Sequence, residues 1–160
     1  MSLLDPLLSE FIDVIEWNED GSDMLAWRFP RYKDAIKWGA QLIVREGQQA
    51  IFVNEGRIAD SFQPGRHQLS TRNLPLLTTL LSLPTGFESP FKAEVYFVAS
   101  RRFVDQRWGT KHPIMLRDAE LGPIRLRSFG TYEVQVQNPS TFISKLNGSQ
   151  TIFDLKDIKN

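Results

Sequence analysis

The sequence predicts one domain that mixes short strands with short helices, and three observations carry that expectation. Residues 124–136 alternate with period two, as a half-buried strand does. Residues 42–62 hold apolar bursts separated by Glu46-Gly47 and Glu55-Gly56, as in a meander. Two segments led by Asp5-Pro6 and Asn138-Pro139 place apolar residues at helical spacing behind a capping residue and a proline.

Taken in order, "SLLDPLLSEFIDVIEW" puts Leu3, Leu4, Leu7, Leu8, Phe11, Ile12 and Ile15 on one helical face. Asp5, Ser9, Glu10, Asp13 and Glu16 lie opposite. After a turn cluster at 18–23, Trp27, Phe29, Tyr32 and Trp38 interleave with Arg28, Arg31, Lys33 and Lys37. That mixture suits either a core or an interaction surface. Leu42–Arg45 and Ala50–Asn54 read as a hairpin, and Arg57–Phe62 as a third strand. Pro64-Gly65 fits the centre of a type II turn. Residues 73–86 form a short apolar helical connector between Pro75 and Pro84.

Phe91–Ala99 reads as a strand, 107–113 as a loop and 114–118 as a short strand. Ile124–Val136 is read as one long strand with a bulge at Gly130. Phe142, Ile143 and Leu146 then follow the Asn138-Pro139 helix start, and Gly148 is a natural stop. A further amphipathic segment begins near Thr151, and it is expected to start a C-terminal helix continuing past Asn160. The expected organisation is a leading segment over 1–40, a central domain over 41–148 and that helix over 149–160.

Composition narrows the chemistry. The chain lacks cysteine, which removes disulfides, thiolate metal sites and thiol nucleophiles together. No apolar run reaches the roughly 18 to 20 residues of a membrane-spanning helix. A cytoplasmic location is expected, with peripheral placement at the inner face of the cell membrane. Net charge is zero but unevenly placed: residues 1–24 hold seven acids and no Lys or Arg, leaving 19 bases against 12 acids, or +7, in the remainder. The bases are scattered, without the stripe that nucleic acid requires.

His67 and His112 have no partners at metal-ligand spacing, and no serine sits in a nucleophile elbow. The glycines form no phosphate-binding motif. Asp105, Asp118 and Glu120 suit capping or ion pairs better than a catalytic carboxylate pair. A non-enzyme without metal or cofactor is expected.

Two stretches carry a resemblance. "LIVREGQQAIFVNEGRIADSFQPGRHQLS" and "IRLRSFGTYEVQVQNPSTFISKL" resemble the opening meander and the long strand with its following helix in the SPFH, or band 7, superfamily of stomatins, prohibitins, flotillins and the bacterial HflK/HflC proteins. "FIDVIEW", "SPFKAEVYFV", "RWGT" and "LRSFGTYEV" further resemble a bacterial subgroup labelled "virion core protein". The resemblance implies an α+β fold: a curved mixed, mainly antiparallel sheet with helices packed against it. It also implies a non-enzymatic scaffold that self-assembles and organises membrane-associated or stress-response protein partners. The alternative reading is a soluble adaptor that binds a protein or peptide without membrane. The candidate interaction residues are Leu4, Leu8, Phe11 and Ile15 on the first helix, Trp27 and Trp38 in the aromatic-basic segment, Trp108, and Phe129.

Overall fold

The structure is a computed structural model describing residues 13–19, 23–30, 34–82, 90–146 and 150–158. Its strands are β1 (Val14–Glu16), β2 (Met24–Arg28), β3 (Ala35–Ile36), β4 (Gln41–Val44), β5 (Gln48–Asn54), β6 (Arg57–Phe62) and β7 (Gly65–Gln68). Then come β8 (Phe91–Lys92), β9 (Glu94–Ala99), β10 (Phe103–Gly109), β11 (Ile114–Asp118), β12 (Gly122–Leu126), β13 (Phe129–Val134) and β14 (Ile152–Asp154). The helices are α1 (Pro75–Leu80), α2 (Pro139–Lys145) and α3 (Leu155–Ile158). The fold is α+β, with several mainly antiparallel sheets and few helices. It divides into a body, Met1–Arg101 with Val136–Asn160, and a second unit, Arg102–Gln135.

In the body, β14-β2-β9-β5-β6 form an antiparallel five-stranded sheet. β9 sits at its centre, and Val95 to Ala99 are all buried. A strand with hydrogen-bonded neighbours on both edges and apolar contact on both faces reads as a continuous apolar run, as "VYFVA" does. One face of this sheet joins Ala26, Ile51, Val53, Tyr96, Val98 and Phe153 to Ile143 of α2 in a single cluster. Trp17, just after β1, interlocks with Trp27 of β2 and Phe97 of β9, with ring centroids 6.2 to 6.5 Å apart. A smaller sheet has β4 in the middle, parallel to β1 and antiparallel to β7.

Several expectations change here. Val14–Glu16 is a strand rather than the end of a helix, and Ile15 is fully buried, so it belongs to the core and not to an interaction surface. Leu4, Leu8 and Phe11 lie outside the described residues. β4 and β5 do not pair as a hairpin: β4 joins β1 and β7, whereas β5 joins β6 and β9. The chain changes sheets at Gly47, whose φ of +77° suits glycine and whose carbonyl accepts from Ser100 N at 2.7 Å. Buried Gln48 secures the same corner, donating to the Trp17 carbonyl at 3.2 Å and to Glu19 at 3.1 Å. Gly65 has φ +145°, outside the type II range, and opens directly into β7. Near the C-terminus, 152–154 pairs with β2 before the short α3 begins, where a helix was expected throughout.

Other local readings hold. The helical connector is α1, and Asn138 caps α2 by accepting from Thr141 N at 2.9 Å. The start of α1 has no such cap of its own; its N–H groups at Leu76 and Leu77 donate instead to the buried Asp60 carboxylate, at 3.2 and 2.8 Å. That carboxylate ties α1 to β6. We predict that Asp60→Ala lowers the unfolding free energy by about 1–3 kcal/mol, since it strands two donors against a buried site. Denaturant titration measures this, and Asn138→Ala, at an exposed cap, costs about 1 kcal/mol.

Candidate interaction surface

The second unit is a two-stranded antiparallel ribbon. β10 pairs β13, with Gly109 opposite Phe129, Trp108 opposite Gly130 and Gln106 opposite Tyr132. β11 pairs β12, with Ile114 opposite Leu126 and Leu116 opposite Ile124. Thr110 and Ser128 join the two ladders: Thr110 N donates to the Ser128 carbonyl at 2.9 Å, and Ser128 N donates to Thr110 Oγ1 at 3.2 Å. At the turn, Asp118 Oδ1 accepts from Glu120 N and Leu121 N, each at 2.9 Å. Those two donors hold the Asp118 carboxyl below the usual carboxylate range.

This geometry corrects two readings of the sequence. Residues 107–109 continue β10 rather than forming a loop. Residues 124–136 are not one strand, because the ladder breaks at Arg127-Ser128 and each half has its own partner. The bulge lies in β10, between Phe103 and Gln106, where Asp105 takes φ +56°. Alternation along β13 survives, with Phe129, Thr131 and Glu133 more exposed than Gly130, Tyr132 and Val134.

The surface of the ribbon is unusual for its apolar content. Val104, Trp108, Ile114, Met115, Leu116, Leu121, Leu126 and Phe129 are all exposed, Leu121 at 76% and Phe129 at 87%. Cross-strand partners always share a face, so Ile114, Leu116, Ile124 and Leu126 line one side of the β11–β12 ladder. Met115, Arg117, Pro123 and Arg125 line the other. Phe129 is bare because its partner, Gly109, has no side chain to cover it. Trp108 folds across Gly130, where an added Cβ would lie 2.8 Å from the indole Nε1. Sequence reasoning singled out Trp108 and Phe129, which are exposed, but not Ile114, Leu116 and Leu121. Ile114-Met115-Leu116 is an unbroken apolar run that reads equally well as a buried strand, and only its exposure shows that nothing covers it among the described residues.

The other candidates are differently placed. Trp27 is half-buried, stacked on Trp17 and edge-on to Phe29, and lines a cavity of about 400 Å³ with Met24 and Ile152. Trp38 packs on Phe91 at 4.1 Å, with its indole N–H buried and no acceptor among the described residues. His67 bonds the Gln63 carbonyl at 2.9 Å, and its ring packs tilted against Phe62. His112 is exposed in the ribbon. Among the described residues, no three His, Asp or Glu side chains gather where a metal could sit.

The body also holds a polar network. Arg28 pairs with Asp34 at 3.0 Å and Glu94 at 3.4 Å, and the Tyr96 hydroxyl donates to Glu94 at 2.8 Å. Glu94 and Tyr96 border a cavity of about 220 Å³ beside Ile143 and Phe153. Burial, then the bond to Glu94, pushes the Tyr96 phenol up to about 12.

Comparison with known proteins fits this architecture. The SPFH domain-Band 7 family pattern matches residues 26–160. The chain belongs to that family. It is also 35% identical over 153 residues to uncharacterized protein YdjI of Bacillus subtilis (strain 168), covering 94% of this chain and 46% of YdjI. The chain thus spans about half the length of the curated relative it matches. No solved structure matches it. The subgroup label "virion core protein" finds no support in either relationship. Among the described residues, no helix is long and apolar enough to cross a membrane.

Two predictions follow from this geometry. Gly130→Val displaces the Trp108 ring and red-shifts its emission, a change absent in a Trp108→Phe background. Because the folded state favours the neutral Tyr96 phenol, that group's stabilisation is complete below pH 10 and lost as pH rises toward about 12. Denaturation across this window is expected to show a steeper alkaline loss for the native chain than for Tyr96→Phe.

Proposed function

We propose that the chain acts as a non-enzymatic, oligomeric scaffold that organises membrane-associated or stress-response protein partners, with the ribbon over 102–135 as its docking surface. The observation that carries this is the row of uncovered apolar side chains on a two-stranded ribbon. Exposed apolar groups at this density mark contact sites in soluble domains. Family membership adds support, since SPFH domains generally serve assembly rather than catalysis. The ribbon carries six Lys or Arg against four Asp or Glu, so its apolar faces are rimmed by mild positive charge suited to an acidic protein or membrane surface. Trp27 and Trp38, the basis of the adaptor reading, have rings engaged within the body.

The test is co-flotation of the chain with native membranes, comparing the native sequence with a Phe129→Ser, Leu121→Ser double variant. Both side chains are largely exposed, so the unfolding midpoint should stay unchanged. Membrane-associated material is expected to fall about tenfold or more, given that burying each side chain contributes about 1.5–3 kcal/mol. Equal flotation of the two proteins would remove the ribbon from the account.

A further inference from the structure

We propose that two copies of this chain pair along the outer edge of β11, antiparallel, so that two ribbons become one four-stranded sheet. This rests on the reading of the ribbon as a docking surface and names the occupant of its edge. Among the described residues, β11 pairs only with β12, leaving one side of Ile114–Asp118 without a strand neighbour. None of its five residues is proline, so the alternate N–H groups that face away from β12 are open to an added strand, up to Pro113 at its start. The opposite edge differs, because β12 contains Pro123, which has no donor for an added strand. One edge is open and the other is blunted.

Charge selects the direction. The turn end of the β11–β12 ladder is net acidic, with Asp118 and Glu120 against Arg117. The far end is basic, with Lys111 and Arg127. Antiparallel pairing brings the acidic end of each ribbon to the basic end of the other, and two-fold symmetry makes this contact twice. Parallel pairing would set like charges together.

The faces agree with this choice. A two-fold axis perpendicular to the sheet keeps each copy's aliphatic residues on the same side, so Ile114 can lie opposite Leu116 of the second copy. Cross-strand aliphatic pairs of this kind are the unit of sheet stabilisation. Two strands alone are marginal, whereas a sheet of three or more with an apolar face is stable. The outer faces, including Phe129 and Leu121, remain available to other partners.

The experiment is sedimentation equilibrium on the 160-residue chain over a range of concentrations at low salt, with a charge-swap set. Glu120 and Lys111 are exposed, and only the backbone N–H of Glu120 is used in the turn, so their side chains can be exchanged without disturbing the hairpin. The native chain is expected to show a reversible monomer–dimer equilibrium. Glu120→Lys and Lys111→Glu should each raise the dissociation constant about tenfold, because symmetry counts each repulsion twice. The double variant should return to within about threefold of the native value. A dimer indifferent to both single substitutions overturns the pairing, as does a chain that stays monomeric throughout. Neither outcome decides the flotation comparison of the Phe129 and Leu121 variant, so the scaffold reading stands or falls separately.

Discussion

Every strand presents two hydrogen-bonding edges and two faces, and the body is organised around the strand at the centre of its five-stranded sheet. β9 has β2 on one edge and β5 on the other, with buried side chains along nearly its whole length. The remaining elements of the body follow from serving it. β14 extends the sheet beyond β2, and β6 extends it beyond β5. Ile143 of α2 adds to the apolar cluster on one face, while Trp17 adds its ring to Trp27 and Phe97. The strand has no alternation because neither of its faces meets water.

The ribbon obeys the same constraint from the opposite side. Its strands β11 and β12 have one paired edge each, and the aliphatic face between them has no covering layer among the described residues. Charged rims, an acidic turn and Pro123 are the features by which natural sheets limit indiscriminate pairing. They leave the β11 edge and the exposed faces in place. Under the proposed function, folding falls to the body and contact to the ribbon. The chemistry matches, since the charged network of Arg28, Asp34 and Glu94 is satisfied internally while the ribbon offers apolar surface.

Much of this was legible in the sequence, for reasons that differ by element. Asn138-Pro139 announced its helix because capping is a local interaction between residues three apart. β5, β6 and β11 were visible from composition and turn residues. What local pattern could not carry was partnership. The Glu46-Gly47 turn looks like a hairpin turn, and only the long-range bond from Ser100 shows it moving the chain between sheets. The run from Ile124 to Val136 keeps its period across a break, because side-chain alternation is indifferent to which strand lies alongside. Ile15 sat correctly on an apolar face, yet a three-residue strand buries it as completely as a helix would. Phe129 was identified by its unexpected side, and Gly109 opposite it explains why the ring stays bare.

The most direct measurement of the central claim is amide hydrogen exchange along the ribbon, compared between dilute and concentrated protein. The account predicts that protection within Ile114–Asp118 rises with concentration, while the outer amides of β12 exchange at an unchanged rate. Exchange that is the same at both concentrations across the whole ribbon would contradict it, and would leave the β11 edge with no partner of its own kind.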